Sequence, residues 1–202
     1  MRLVFATGNK GKLREASEIL GDEFEILSSA QAGITEDVEE TGLTLKDNSI
    51  IKAEYIYSRT GLDCFADDTG LEVDALGGAP GVFTARYAGE GCNFDDNIRK
   101  LLAELAALDA ASAGTPVPRT ARFRSVVTLI IGGEKHFFEG VMEGKVALEK
   151  AGCGGFGYDP VFIADEYPDK TVAELPEETK NAISHRGRAL RAMAAWLRTS
   201  AK

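Results

Sequence analysis

The spacing of apolar residues changes abruptly within the first twenty positions. Leu3-Val4-Phe5-Ala6 is a continuous apolar run, Thr7-Gly8-Asn9-Lys10-Gly11-Lys12 interrupts it, and Leu13, Ala16, Ile19 and Leu20 then recur at helical spacing. That order predicts a buried strand, a glycine-containing turn and a helix. Glu25-Ile26-Leu27 predicts a second short strand. Residues 44–59 predict a helix with Leu45, Ile51, Ala53, Ile56 and Tyr57 on its apolar faces. The apolar run over 62–66 predicts a strand that stops at a turn, Asp67-Asp68-Thr69-Gly70. Leu71, Val73 and Ala75 then alternate with polar residues up to the turn cluster Gly77-Gly78-Ala79-Pro80-Gly81.

In the second half, Phe94, Ile98, Leu101, Leu102, Leu105 and Leu108 mark an amphipathic helix. Residues 109–118, rich in Ala, Ser, Gly and Pro, predict a flexible connection. Two long β segments follow, over 121–131 and 135–147, with Gly132-Gly133 between them as a hairpin turn. The glycine-dense stretch 152–157 leads to Tyr158-Asp159-Pro160 and a short strand over 161–163. Pro176-Glu177-Glu178 opens a helix, with Pro near its first position and acids in its first turn. A last helix carries Leu190, Met193, Ala194 and Leu197. Interspersed strands and helices with a hairpin predict an α/β fold around a mixed sheet.

Composition narrows the function classes. An apolar fraction of 44% fits a folded domain, and 202 residues suffice for one sizeable domain or two lobes sharing a core. A net charge of −9 argues against a partner such as a nucleic acid polymer, which needs clustered cations. Cys64, Cys92 and Cys153 are odd in number, far apart and without a Cys/His cluster, which predicts reduced thiols in a cytoplasmic protein. The sequence shows neither a leader-like apolar segment at its start nor an 18-residue apolar stretch, so no membrane association is expected.

Candidate chemistry is spread over several short blocks. The turn at Thr7–Lys12 aims backbone N–H groups and the positive end of a helix dipole at one point, which suits a phosphate. Thr7 and Asn9 add polar side chains, and Lys12 or Lys10 adds a mobile cation. Neither G-x-x-x-x-G-K-[ST] nor G-x-G-x-x-G is present. Each remaining block also has an ordinary structural reading. Alone, Glu39-Glu40-Thr41-Gly42 reads first as a solvated loop, and Asp67-Asp68-Thr69-Gly70 as a strand-ending turn with an Asx hydrogen bond. Phe156-Gly157-Tyr158-Asp159-Pro160 fits a packed aromatic turn, and Lys180 with Ser184-His185-Arg186 a solvated helix face. Taken together they supply a nucleotide site. Carboxylates from separate loops suit Mg²⁺, which keeps several waters while bridging phosphates. Lys52 joins the phosphate turn, the aromatics offer a base a stacking surface, and Lys180, His185 and Arg186 donate to acceptors on a base edge.

These blocks, in order and over nearly the whole chain, resemble the inosine triphosphate pyrophosphatases. The resemblance runs through Ala6-Thr7-Gly8-Asn9, Glu39-Glu40-Thr41-Gly42, Ala66-Asp67-Asp68-Thr69-Gly70-Leu71 and Gly77-Gly78-Ala79-Pro80-Gly81. It continues through Ala85-Arg86-Tyr87, Gly155-Phe156-Gly157-Tyr158-Asp159-Pro160 and Ser184-His185-Arg186. It implies a single pyrophosphatase domain over 1–202, an elongated mixed sheet flanked by helices with two lobes around a central cleft, and a homodimer. It also implies Mg²⁺-dependent hydrolysis of dITP, ITP and XTP to the monophosphate and pyrophosphate, which keeps these nucleotides out of DNA and RNA. On that resemblance Thr7, Gly8, Asn9, Lys10, Gly11 and Lys12 bind phosphate, and Glu40 and Asp68 bind metal, with Asp68 as proton acceptor. Lys12 and Lys52 stabilise the departing pyrophosphate. The usual Ser is Thr69 here, which keeps the hydroxyl and narrows its rotamers. Phe156, Gly157, Tyr158 and Asp159 form the base pocket, and Lys180, His185 and Arg186 read the base. A pyrophosphatase for modified pyrimidines shares the N-terminal turn, but the blocks at Phe156 and Ser184 argue against it. Retention of Glu40 and Asp68 argues against a catalytically silent nucleotide sensor.

Overall fold

A computed structural model describes residues 1–91, 93–112 and 115–200. Six strands form one mixed sheet in the order β2-β1-β3-β4-β5-β6. They are β1 (Arg2–Phe5), β2 (Glu25–Ser28), β3 (Cys64–Val73), β4 (Thr120–Ile131), β5 (Glu134–Val146) and β6 (Phe162–Ala164). β1 pairs in parallel with β2 and β3, whereas β5 and β6 are antiparallel. The helices are α1 (Lys10–Leu20), α2 (Leu45–Thr60), α3 (Phe94–Ala111), α4 (Glu177–Ile183) and α5 (His185–Ser200). The α/β class expected from the apolar pattern is the one observed.

The chain divides into two compact units. The first takes residues up to Thr69, then Ser125–Val141, then Ser184 onward; the second takes Gly70–Arg124 and Met142–Ile183. β3, β4 and β5 each contribute residues to both. Within the first unit the two-residue period of the strands sorts the core. Leu3, Phe5, Phe65, Val127 and Leu129 pack with residues of α1 and α5. Val4, Ala6, Cys64, Ala66 and Ile130 point the other way and pack with Ala53 and Ile56 of α2. Phe5 and Phe65, partners in the β1–β3 register, stack with ring centroids 4.4 Å apart. Such a pair adds about 0.5–1.5 kcal/mol beyond its buried area. The second unit has its own core, with Ile98, Leu101 and Leu105 of α3 against Leu71, Phe123, Met142 and Phe162.

Two elements differ from the pattern-based reading. Asp67-Asp68-Thr69-Gly70 is not a turn: β3 runs unbroken through it for ten residues. Asp disfavours strands through its short polar side chain, but here both carboxylates find cationic partners that override the local preference. Residues 109–111 are the end of α3, whose Ala and Leu residues carry the helix up to its C-cap at Ser112. Asp109 accepts from the Val117 N–H (2.7 Å) and from Arg119 Nη2 (2.6 Å). The described part of 109–118 therefore joins α3 to β4 inside the second unit, and Ala113 and Gly114 lie outside the described residues. The hairpin is as expected: Gly132 and Gly133, both with positive φ, connect β4 to β5.

Candidate active site

The N-terminal turn leaves β1 at its carboxyl end, where the last bond to the neighbouring strand runs from the Ala6 N–H to the Phe65 carbonyl (2.8 Å). β3 continues past that point, so Asp67 and Asp68 lie beyond the end of β1, in the position where parallel sheets place ligands. Asn9 caps α1, its Oδ1 accepting from the Gly11 N–H (2.9 Å) and the Lys12 N–H (3.2 Å), while Thr7 Oγ1 accepts from the Asn9 N–H (3.1 Å). The expected cradle of open N–H groups is thus partly closed by the turn's own side chains. What the turn does present is the start of a helix and the Lys12 ammonium. A pocket of about 850 Å³ opens here, lined by Thr7, Gly8, Asn9, Lys10 and Lys12 together with Glu40, Lys52 and Asp67. Its size suits a small-molecule ligand.

Strand geometry gives the two neighbouring aspartates different partners. Asp67 takes Lys12 Nζ on Oδ1 (2.9 Å) and Arg186 Nε on Oδ2 (2.8 Å), and Thr69 Oγ1, two residues on and on the same face, lies 3.4 Å from Oδ2. Arg186 also donates through Nη1 to Glu15 of α1. Asp68 points to α2, where Lys52 Nζ donates to its Oδ1 (2.9 Å) and Asn48 Nδ2 to its Oδ2 (3.3 Å). The same Lys52 ammonium donates to Glu40 Oε1 (2.6 Å). Glu40 and Asp68, 28 positions apart in sequence, therefore converge on one cation. Among the described residues no group of three or more His, Cys, Asp and Glu gathers for a metal. Two carboxylates suffice for Mg²⁺, which takes its other oxygens from water and substrate phosphate, so this donor set fits such an ion.

Electrostatics separates the two acids further. Burial alone would raise the Asp67 pKa, but Lys12, Arg186 and Lys52 hold it well below the usual carboxylate range. At Asp68 burial wins: its pKa is raised, with Lys52 opposing and Glu40 adding to the rise. The lysines diverge as well. Burial lowers the Lys12 pKa against the pull of Asp67. Burial acts on Lys52 in the same sense, but Asp68, Asp67 and Glu40 outweigh it and raise its pKa. Asp67 is thus a fixed anion, and Asp68 carries the more basic carboxylate.

The remaining sequence-derived candidates fall in two places. Arg186, only 4% exposed, lies in the first unit within the network just described. Beside it Ser184 caps α5, accepting from the Gly187 N–H (3.0 Å), and half-buried His185 begins the helix. Phe156, Gly157, Tyr158, Asp159 and Lys180 belong to the second unit. There Asp159 Oδ2 accepts from Lys180 Nζ (2.6 Å) and from the Phe156 N–H (2.7 Å). The Phe156 ring is 43% exposed and meets Phe94 edge-on at 4.9 Å. Tyr158 is buried, its hydroxyl donating to the Thr84 carbonyl (3.1 Å), so it supports this loop rather than offering a face. Sequence reading missed Glu15 and Asn48 and gave Asp67 no role. A polar stripe on the buried face of α2, Asn48, Ser49 and Lys52, is the signal that could have found Asn48.

Comparison with known proteins decides the family. The Ham1 family model matches residues 3–196. The chain belongs to the Ham1 family. A Ham1 protein of known structure from Coxiella burnetii superimposes with a TM-score of 0.88 at 39% identity, over 99% of this chain and 100% of that one. Among Ham1 relatives, a protein named dITP/XTP pyrophosphatase from Porphyromonas gingivalis is 52% identical over 189 residues, 94% of this chain and 93% of its own length. One of the same name from Flavobacterium johnsoniae is 47% identical over 190 residues, 94% of each chain. Every candidate site residue described above lies inside the matched span.

Proposed function

We propose that this Ham1 protein hydrolyses dITP, ITP and XTP to the nucleoside monophosphate and pyrophosphate, with Mg²⁺ as the metal. The observation that carries the reading is the convergence of Glu40 and Asp68 on one cation beside the N-terminal turn. The relatives' names point to dITP and XTP.

Glu40 and Asp68 would hold the metal, which when bound neutralises phosphate charge and lowers the pKa of a coordinated water. Asp68, whose pKa is raised by burial, accepts the proton of the attacking water. The water oxygen bonds to the α-phosphorus as the bond from that phosphorus to the α–β bridging oxygen breaks, and pyrophosphate carries that oxygen away. Thr7, Gly8, Asn9, Lys10, Gly11 and Lys12 receive the phosphates. Lys12 and Lys52 offset the charge that gathers on the leaving group. Asp67 keeps the Lys12 ammonium at the turn, and Thr69 adds a hydroxyl beside it.

Within the second unit Phe156, Gly157, Asp159 and Lys180 are assigned to the base, with Tyr158 supporting their loop. The exposed face of Phe156 stacks, and the donors favour a purine with a 6-keto oxygen over the 6-amino group of ATP. A site built of donors discriminates against a donor by roughly 10⁴–10⁵-fold when buried groups are left unpaired. The enzyme works on the cytoplasmic nucleotide pool as a homodimer, a state that light scattering reads directly. The functional test is pyrophosphate release from XTP, dITP, ATP and a modified pyrimidine triphosphate, with Mg²⁺ or with EDTA. XTP and dITP should be cleaved far ahead of the other two, and only with metal. Equal cleavage of ATP would overturn the base assignment, and undiminished turnover in EDTA the metal assignment.

A further inference from the structure

Asn48 is fully buried, and both ends of its amide are engaged. Its Nδ2 donates to Asp68 Oδ2 (3.3 Å) and its Oδ1 accepts from the Gly42 N–H (2.8 Å). Lys52, one helical turn further along α2, repeats the pattern with Asp68 Oδ1 and Glu40 Oε1. Two side chains on one face of α2 therefore each join the loop carrying Glu40 to the strand carrying Asp68. They do so by different physics. The Lys52 link is ionic, and a divalent cation arriving between the same carboxylates would repel it. The Asn48 link is neutral and persists when the charge between the acids changes.

The two bonds need a donor and an acceptor on one short side chain, which the asparagine amide supplies. Aspartate of the same shape accepts from Gly42 but has no donor for Asp68, and leucine has neither. The loop side is equally constrained. A Cβ at Gly42 would stand 2.6 Å from Asn48 Oδ1 and 2.9 Å from the Asn48 backbone nitrogen, so the loop approaches α2 this closely only with glycine. We infer that Asn48 is a positioning residue that sets the separation of Glu40 and Asp68 for the divalent cation. This rests on the metal reading of the proposed function. Groups that orient metal ligands without touching the metal typically change metal affinity or activity by about 10–100-fold when removed.

The test compares wild type, Asn48→Ala, Gly42→Ala and Lys12→Ala. Mn²⁺ binding is followed by EPR in the presence of a dITP analogue with an imido bridge between its α and β phosphates. Thermal melts establish that each protein is folded. Asn48→Ala and Gly42→Ala should each weaken Mn²⁺ binding about tenfold or more, with little change in analogue affinity at saturating Mn²⁺. Lys12→Ala should show the reverse split. A merely structural role would lower the melting temperature and leave the Mn²⁺ affinity of the folded protein unchanged. That result in Asn48→Ala, an equal loss of metal and analogue affinity, or failure of both Asn48→Ala and Gly42→Ala to fold would overturn the inference. A wild type that binds Mn²⁺ yet releases no pyrophosphate from dITP would overturn the functional reading and leave the Asn48 comparison in force. A wild type that binds no Mn²⁺ would overturn both.

Discussion

Asp67 and Asp68 are adjacent in the chain, yet the two-residue period of β3 sends one carboxylate to Lys12 and Arg186 and the other to Lys52 and Asn48. Adjacent residues of one type thus acquire opposite electrostatic characters. Asp67 has a folded pKa below its unfolded one, so its contribution to stability is complete above the ordinary carboxylate pKa of about 4 and is lost as pH falls toward the folded value. Asp68, with a raised pKa, has the opposite sign, and a variant is needed to separate the two. Urea unfolding of wild type and Asp67→Asn between pH 7 and pH 3 provides that separation. The wild type should lose stability more steeply below pH 4, because the variant lacks the group whose protonation is penalised. Parallel curves would show that Asp67 is not held as an anion. The residue types of this network were visible in the sequence, but their pairing was not. Lys12, Asp67 and Arg186 are separated by 55 and 119 positions, and nothing local shows that Arg186 turns to Asp67 and Glu15 instead of standing open.

At the scale of elements, α2 is the part that holds the acids together, and its start is fixed by a reciprocal cap. Thr44 Oγ1 accepts from the Asp47 N–H (3.1 Å), and Asp47 Oδ2 accepts from the Thr44 N–H (3.2 Å). Removing the Thr44 hydroxyl should cost ~1 kcal/mol, a fall in melting temperature of about 2–4 °C for a chain of this length. Calorimetry on Thr44→Ala checks it, and an unchanged melting temperature would show that packing alone sets this helix end. The helices were legible because their apolar periods are clear, and α2 begins within a residue of the expected position. β3 was only half legible. The run over 62–66 announced a strand, but Asp67 and Asp68 break the apolar pattern, and only cations supplied by α1, α2 and α5 explain why the strand continues. The buried polar face of α2 follows the same logic, since Asn48 and Lys52 at helical spacing mark a site where an ordinary core helix would carry apolar residues.

For the molecule as a whole, the mixed sheet and α/β class were readable from the alternation of patterns. Where the chain divides into its two units was not, because β3, β4 and β5 cross from one unit to the other without a break in sequence character. The first unit contains the N-terminal turn, Glu40 and Asp68, which are proposed to hold the metal, and Lys12 and Lys52. On a protein of net charge −9 this site gathers Lys12, Lys52 and Arg186 among its acids, and burial of these charges is offset by their mutual pairing. The proposed chemistry requires the carboxylate of Asp68 for metal-dependent release of pyrophosphate. The most direct measurement is the turnover of XTP by Asp68→Asn at saturating Mg²⁺, with pyrophosphate as the product followed. The amide is nearly isosteric, and Glu40 remains to pair with Lys52, so circular dichroism and the melting curve should match wild type. Its kcat should be lower by about 10²–10⁴-fold, the range lost with a positioned proton acceptor. Turnover near that of the wild type, in a variant with unchanged circular dichroism, would contradict it.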